Sequence, residues 1–377
     1  MIPVCEPLLL DSDRALVEEC LAHGWVGSAG PFIGRFEEAW AAYCGRRYGV
    51  AVSSGTAALQ IAAECLDLEA GDEVIMPSFT IISCPLAVLR ARGVPVLVDC
   101  DPRTWCLDVV QVRARITPRT RAILAVNIYG HPPDMDTLGD LAAEHGLAII
   151  EDAAEGHGAE YLAGRRGAHP AWRRCGSFGV TSCFSFYANK LITTGDGGMV
   201  LTDEARVAER ARSLRNLCFG PERRFFHEGV GFNFRMTSMQ AALGVGQIER
   251  MDAIVARKRR IASEYQRRLR ETGGVHVRVE EGWARSSFWM NGLVLSPECG
   301  MDAVRLATAL RAEGIETRPC FLGMHEQPAF HDAGLFQHER YPVTERLARH
   351  GLYLPSGLGL TDAELHHVCD VVADAVR

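Results

Sequence analysis

Between residues 48 and 152, short runs of wholly apolar residues alternate with segments of helical spacing. "YGVAVSS" (48–54), "DEVIMP" (72–77), "PVLVDCD" (95–101), "RAILAVNIYG" (121–130) and "GLAIIED" (146–152) read as strands. "GTAALQIAAECL" (55–66) and the stretches 82–92 and 136–145 read as helices between them. A strand without polar alternation has no face to offer water, so such strands need cover on both sides. Strands that alternate with helices form a mostly parallel sheet, which supplies that cover. The predicted class is therefore α/β.

Upstream, residues 13–24 have helical spacing with Asp at the start and Gly at the end. A glycine-rich loop, "GWVGSAGPFIG", leads from there into "RFEEAWAAYCG". Downstream, "MDAIVARKRRIASEYQRRLRETGG" (251–274) predicts a long amphipathic helix, after which the texture changes. The strand "NGLVLS", the helix "DAVRLATALRAEG", a Pro- and His-rich loop at 318–343 and a last helix predict a small C-terminal α+β domain. The expected division is a large α/β domain over 1–250 and a smaller one over 251–377.

Composition excludes several function classes. With 47% hydrophobic and 23% charged residues and no apolar run of ~18 residues, the chain is expected not to enter a membrane. Its start carries no export pattern, which makes the cytoplasm the expected location. The 13 cysteines are scattered, and none forms a C-x-x-C pair, so buried thiols are expected rather than disulfides or a metal site. Net charge is −7, and the basic cluster "RKRR" (257–260) lies in a helical stretch without interleaved aromatics. It reads as a solvated helix face, not a nucleic-acid footprint.

Chemistry in parallel α/β sheets gathers beyond the carboxyl ends of strands. Three such places stand out. In "SSGTAAL" (53–59) a strand ends in small residues and a helix begins at once. Gly55 admits a ligand to the backbone, Thr56 can cap, and the helix N-terminus favours an anion; an ordinary capped turn is the competing reading. In "LAIIEDAAEGHG" a buried strand delivers Glu151 and Asp152, where a carboxylate caps a turn, binds a metal or pairs with a cationic heterocycle.

The third place is "SFYANKLITTGDGGMV" (185–200). Of 40 Lys and Arg residues only Lys190 and Lys258 are lysines. A lysine that served only for solubility could be arginine here, as it is almost everywhere else. Arginine keeps its proton, whereas a lysine amine can be tuned down to attack a carbonyl carbon and form an imine. No P-loop fits, because Asn189 precedes the lysine and Leu191 follows it. G-x-G-x-x-G, G-x-S-x-G and H-E-x-x-H are all absent. An anion cradle, a carboxylate at a strand end and a reactive lysine together describe a pyridoxal 5'-phosphate site, with no metal.

In order along the chain, "SSGTAAL", "GDEVIMPSFT", "VDCDP", "NIYGHPPDMD", "IIEDAAEGHGA", "SFYANKLITTGDGGMV", "GFNFRMTSMQAALG" and "ETRPCFLGMH" make the chain similar, over essentially its full length, to the DegT/DnrJ/EryC1/StrS family of sugar aminotransferases. The resemblance implies a fold-type I pyridoxal phosphate enzyme acting as a homodimer with shared active sites. Lys190 would carry the cofactor as an imine and shuttle the proton, while Asp152 would pair with the ring nitrogen. Gly55, Thr56 and Ser185 would hold the phosphate, Asn233 would reach it from the other subunit, and Glu155 would approach the 3-hydroxyl. Trp25, Ser28, Arg318 and His325 are candidates for the sugar nucleotide, with loop packing or capping as the competing reading for each.

The boxes "YGHPPDMD", "NKLITTGDGGMV" and "ETRP" look most like members that aminate C4 of GDP-4-keto-6-deoxymannose with glutamate as donor. Family members acting on another keto sugar (a 3-keto sugar or a heptose) or on cyclitols are the nearer rival. A sugar 3-dehydratase, which has histidine at the lysine position, and a non-catalytic regulatory protein are the remoter ones. The chain departs from the family at Ile81, where an aromatic usually stacks on the ring, and at Leu86, where asparagine is common. A segment at 162–176 is longer than usual, and Gly179-Val180 replaces a usual Gly-Asp. Ile81, Leu86 and the long segment are expected to border the substrate side.

Overall fold

A computed structural model describes residues 1–220, 223 and 225–377. Its strands, in chain order, begin with β1 Tyr48–Val52, β2 Glu73–Pro77, β3 Val94–Val98, β4 Thr120–Val126 and β5 Ala148–Asp152. They continue with β6 Glu160–Ala163, β7 Ala171–Arg174, β8 Thr181–Ser185, β9 Gly198–Thr202, β10 Val275–Val277 and β11 Ala284–Arg285. The last three are β12 Asn291–Leu295, β13 Arg318–Pro319 and β14 Gly351–Leu354.

Seven of these form the central sheet in the order β1-β9-β8-β5-β4-β2-β3. β9 pairs antiparallel with both neighbours, and every other pairing is parallel. The sheet is therefore mostly parallel, as the apolar strands require. Alternate residues of one strand serve two different cores. Val74, Met76, Ala122, Leu124 and Val126 join one buried cluster with the helices Gly55–Glu64 and Ser83–Arg90. Ile75, Ile123 and Ala125 join another with the helices Val109–Arg115 and Met135–His145. Both faces are dry, so no polar alternation appears in the sequence.

The second sheet is antiparallel, in the order β10-β12-β14-β13. Leu293, Leu295, Leu352 and Leu354 point to a core shared with helices Met251–Leu269, Ala303–Ala312 and Asp362–Val376. Val294 and Tyr353, one residue out of phase, join the large core instead. This alternation carries residues of the C-terminal sheet toward the ends of the central strands.

The stretch 318–343 is not one loop. It holds β13, a 3-10 turn at Met324–Glu326, the helix Pro328–Asp332 and the start of the helix Pro342–His350. Pro328 and Pro342 stand at first helical turns, where the missing N–H costs nothing, so prolines in a stretch that reads as a loop start helices. The long segment at 162–176 is the β6–β7 hairpin, which pairs with β11. Arg165 ties it to Asp134 at 2.5 Å and Arg166 to Asp140 at 2.9 Å, beside the helix Met135–His145. Among the described residues no helix is long and apolar enough to cross a membrane, and the cysteines are free thiols.

Candidate active site

A cleft of about 340 Å3 opens at the carboxyl ends of β1, β4, β5 and β8, within the about 300–1,000 Å3 typical of cofactor sites. Gly55, Thr56, Ile81, Asp152, Glu155, Ser185 and Lys190 all line it. A larger hollow of about 770 Å3 is lined by Arg318 and residues of the helix Ala303–Ala312, but by no lysine and no buried carboxylate, so the smaller cleft is the better candidate for the chemistry.

The anion cradle is built by β1 stopping against the helix Gly55–Glu64. Ser54 caps that helix by accepting from the Ala57 N–H at 3.1 Å. Thr56 Oγ1 meets Ser83 Oγ at 2.7 Å, which adds a second hydroxyl from the next strand-helix turn. A Cβ on Gly55 would stand 2.7 Å from Ser185 Cβ, and one on Gly198 would stand 2.3 Å from the Ser54 carbonyl oxygen. The glycines of "SSGT" (53–56) and "GDGG" (195–198) are thus needed where β1, β8 and β9 bring their backbones together. This packing leaves a helix N-terminus and three hydroxyls around one small space, the donor set a phosphate takes.

Asp152 ends β5 and is buried. It accepts from the Ala154 N–H at 3.0 Å and from the Cys84 thiol at 3.2 Å, which leaves carboxylate capacity unused in the cleft lining. Burial raises its carboxyl above the ordinary range, opposed by the Ala154 N–H, the thiol and Lys190. A cation placed against it would be strongly favoured, which suits a protonated ring nitrogen. Its neighbour Glu151 points the other way: it binds the Asn127 amide and the N–H groups of Gly176 and Phe178, a structural role.

Lys190 follows a turn closed by its own N–H to the Tyr187 carbonyl at 2.9 Å. Its side chain is 10% exposed, and its Nζ lies 3.8 Å from Glu155 Oε1. Burial lowers the amine, while Glu155 and Asp152 pull it back up. Glu155 is itself pushed up to about 7, mainly by burial, although Lys190 and the Tyr129 N–H at 2.7 Å favour its charged form. An amine eased toward neutrality beside a carboxyl poised near neutrality can attack a carbonyl and exchange protons. The residues present fit pyridoxal phosphate.

Other sequence candidates lie elsewhere. Asn233 is exposed and outside the lining of this cleft, bridged to Asn216. Trp25 stacks on His23 at 4.6 Å, and Ser28 lines a separate polar hollow with Arg215 and Arg235. Arg318 pairs with Glu316 at 2.5 Å. His325 is buried, with Nδ1 on Ser78 Oγ at 2.8 Å and Nε2 on Glu345 at 3.3 Å, so its ring braces the start of the 324–350 region. Ile81 does border the cleft and is 44% exposed, whereas Leu86 packs against the core and the 162–176 hairpin contributes nothing to the lining. Sequence reasoning missed Ser83, Cys84, Trp289, Phe321 and Tyr353. The first two follow "PSFT" closely and could have been suspected; the other three arrive from the C-terminal sheet region with no local signal.

The DegT/DnrJ/EryC1/StrS aminotransferase family matches residues 9–373. The chain is 39% identical over 371 residues to the GDP-perosamine synthase of Caulobacter vibrioides, covering 97% of this chain and 96% of that protein. It is 39% identical over 348 residues to the dTDP-3-amino-3,4,6-trideoxy-alpha-D-glucose transaminase of Streptomyces venezuelae, covering 92% and 87%. Among solved structures, S. venezuelae DesV matches with a TM-score of 0.88 at 36% identity, over 97% of this chain and 94% of that one.

Proposed function

We propose, for a chain that belongs to the DegT/DnrJ/EryC1/StrS aminotransferase family, that it transfers the amino group of glutamate to C4 of GDP-4-keto-6-deoxymannose, yielding GDP-perosamine. The observation that carries this reading is the near full-length likeness to a GDP-perosamine synthase.

Pyridoxal 5'-phosphate, when bound, supplies an electron sink that lets a proton leave the carbon bearing the amino group. Gly55, Thr56 and Ser185 would hold its phosphate, Asp152 its ring nitrogen and Glu155 its 3-hydroxyl, with Ile81 against the ring. Lys190 would hold the cofactor through Nζ and would take and return a proton at that atom. Glu155, with Oε1 3.8 Å from Nζ, would favour the charged form of that amine. Asp152, Glu155 and Ser185 are buried, which keeps water away from the groups that handle the proton. Residues 1–250 would form the cofactor domain and 251–377 the smaller one. Exposed Asn233 would complete the phosphate site of a second subunit in a homodimer. The free cysteines support a cytoplasmic location. Trp25, Ser28 and Arg318 stand as sugar-nucleotide candidates only through the loops that carry them.

The test is mass spectrometry of products from a panel of keto-sugar nucleotides with glutamate. Amination of GDP-4-keto-6-deoxymannose is expected. Amination of only a dTDP-linked 3-keto sugar would replace this reading with the one favoured by the equal identity to the S. venezuelae transaminase. Lys190→Arg is expected to abolish turnover with every substrate and leave the fold intact, because arginine does not give up its proton.

A further inference from the structure

Both lysines of the chain touch the same residue, Trp289. Lys258, on the helix Met251–Leu269, is 2% exposed. Its Nζ donates to the Trp289 carbonyl at 2.6 Å and to the Ser356 carbonyl at 2.5 Å. Among the described residues no carboxylate forms an ion pair with it, and burial pushes its amine down to about 8. A buried ammonium without a counter-ion is costly, so what it holds must matter. A lysine suits the place: its compact head reaches two converging carbonyls, whereas a planar guanidinium needs a wider acceptor set.

What Lys258 holds is a strained turn. Phe288 is left-handed, with φ 48°, a conformation that an aromatic residue keeps only when its surroundings impose it. The Phe288 N–H donates to Ser286 Oγ at 3.1 Å, and the Ser287 N–H donates to the Gly130 carbonyl at 3.0 Å. The product of the strain is the direction of Trp289. Its Nε1–H donates to the Asn189 carbonyl at 2.7 Å, and the face of its ring lies 3.8 Å from Lys190 Nζ. The Asn189–Lys190 peptide is therefore gripped at both ends, by Trp289 on its carbonyl and by Tyr187 on its N–H.

We propose that Trp289, anchored by Lys258, is the positioning residue for the Lys190 amine: its indole N–H fixes the peptide from which the side chain leaves, and its ring face seats the free ammonium. A released lysine side chain has four rotatable bonds, and a fixed seat removes that freedom each time the amine must return to the reacting carbon. The seat is shared with Glu155 on the carboxylate side; Asp152 and Cys5 are the other titratable groups that act on Lys190. The inference rests on Lys190 being the working amine and not on which sugar is used.

The test uses the cofactor-free full-length chain, so it is independent of substrate. Traces of acetic anhydride label only neutral amines, and mass spectrometry of the Lys190 peptide across pH gives the midpoint of that amine. In Trp289→Leu and in Lys258→Met the midpoint is expected to fall by about 0.5 to 1 pH unit as the cation–π contact is lost. Trp289→Phe, which keeps a ring, should stay closer to the parent. In the holoenzyme the same two variants should lose about 10-fold or more in kcat with the KM for glutamate held, since the loss is in orientation. An unchanged or raised midpoint in Trp289→Leu would overturn the seat. A lowered midpoint in Trp289→Leu with none in a folded Lys258→Met would overturn the anchoring. Circular dichroism checks the fold, and should Lys258→Met not fold, Trp289→Leu against Trp289→Phe decides the proposal.

Discussion

Gly55→Ala tests the cradle most directly. The new Cβ would stand 2.7 Å from Ser185 Cβ and 3.2 Å from both its Cα and its Oγ. Ordinary carbon contacts sit near 3.5–4.0 Å, so the two elements must part by about 1 Å. Neither is free to move. Ser185 is paired in register with Gly198 of β9, and the start of the helix Gly55–Glu64 is fixed by its Ser54 cap. Overpacking of this kind costs about 1–3 kcal/mol, to be read as lowered thermal stability of the cofactor-free protein. The same displacement spreads the N–H and hydroxyl donors, and cofactor binding should weaken about 10- to 100-fold, or about 1.4–2.8 kcal/mol. Two controls separate the effects. Ser54→Ala removes the cap, about 1 kcal/mol, without crowding the cradle. Gly55→Ala combined with Ser185→Gly removes the Cβ–Cβ clash and should recover stability but not cofactor affinity, because a hydroxyl is gone. A Gly55→Ala protein with parental stability and parental cofactor affinity would refute the cradle geometry.

Burial, helped by the neighbouring Asp152 carboxylate, raises the Glu155 carboxyl from about 4.5 to about 7 against Lys190, the Tyr129 N–H and Arg278, so the folded state keeps a proton that the unfolded chain gives up. Stability of the cofactor-free protein should therefore fall as pH rises from about 4.5 to about 7, by an amount on the order of 3 kcal/mol for this group, then level off. Glu155→Gln, which can still accept the Tyr129 N–H, should flatten that slope relative to the parent in urea titrations run at several pH values; parallel slopes would show that Glu155 does not titrate in that window. Cys84→Ala removes the thiol donor from Asp152 Oδ2, and a weak S–H bond lost from a buried carboxylate should lower kcat about 3- to 10-fold with KM held. Unaltered kcat in that variant would mean that the thiol does nothing for Asp152.

Much of the site was legible because its signals are local. Ser54, Gly55 and Thr56 stand where an apolar strand stops and a helix starts, and Asp152 ends a strand whose apolar run identifies it, whereas Ser185 ends the mixed strand "TSCFS" and was assigned its role only through the family resemblance. Lys190 was found through composition, since its chemistry is one that arginine cannot replace. The histidine at 325 shows the limit. A His in a stretch that reads as a Pro- and His-rich loop looks like an available group, yet folding places it between Ser78 and Glu345. The 162–176 segment reads as a candidate for the substrate side, and its arginines dock it instead on the aspartates of the helix Met135–His145 and the turn before it.

The sequence by itself determined the mostly parallel sheet, the reaction class and the lysine, carboxylate and cradle proposed to perform it. These follow from periodicity, caps and side-chain chemistry within a few residues of each other. Only the tertiary structure decided which groups surround the amine. Trp289 reaches Asn189 from 100 residues away, Tyr353 enters the cleft because β14 alternates between two cores, and Lys258 acts on Lys190 only through Trp289. Contacts between distant residues depend on how sheets stack and where strained turns point. Those are set by the packing of the whole chain, and no local pattern encodes them.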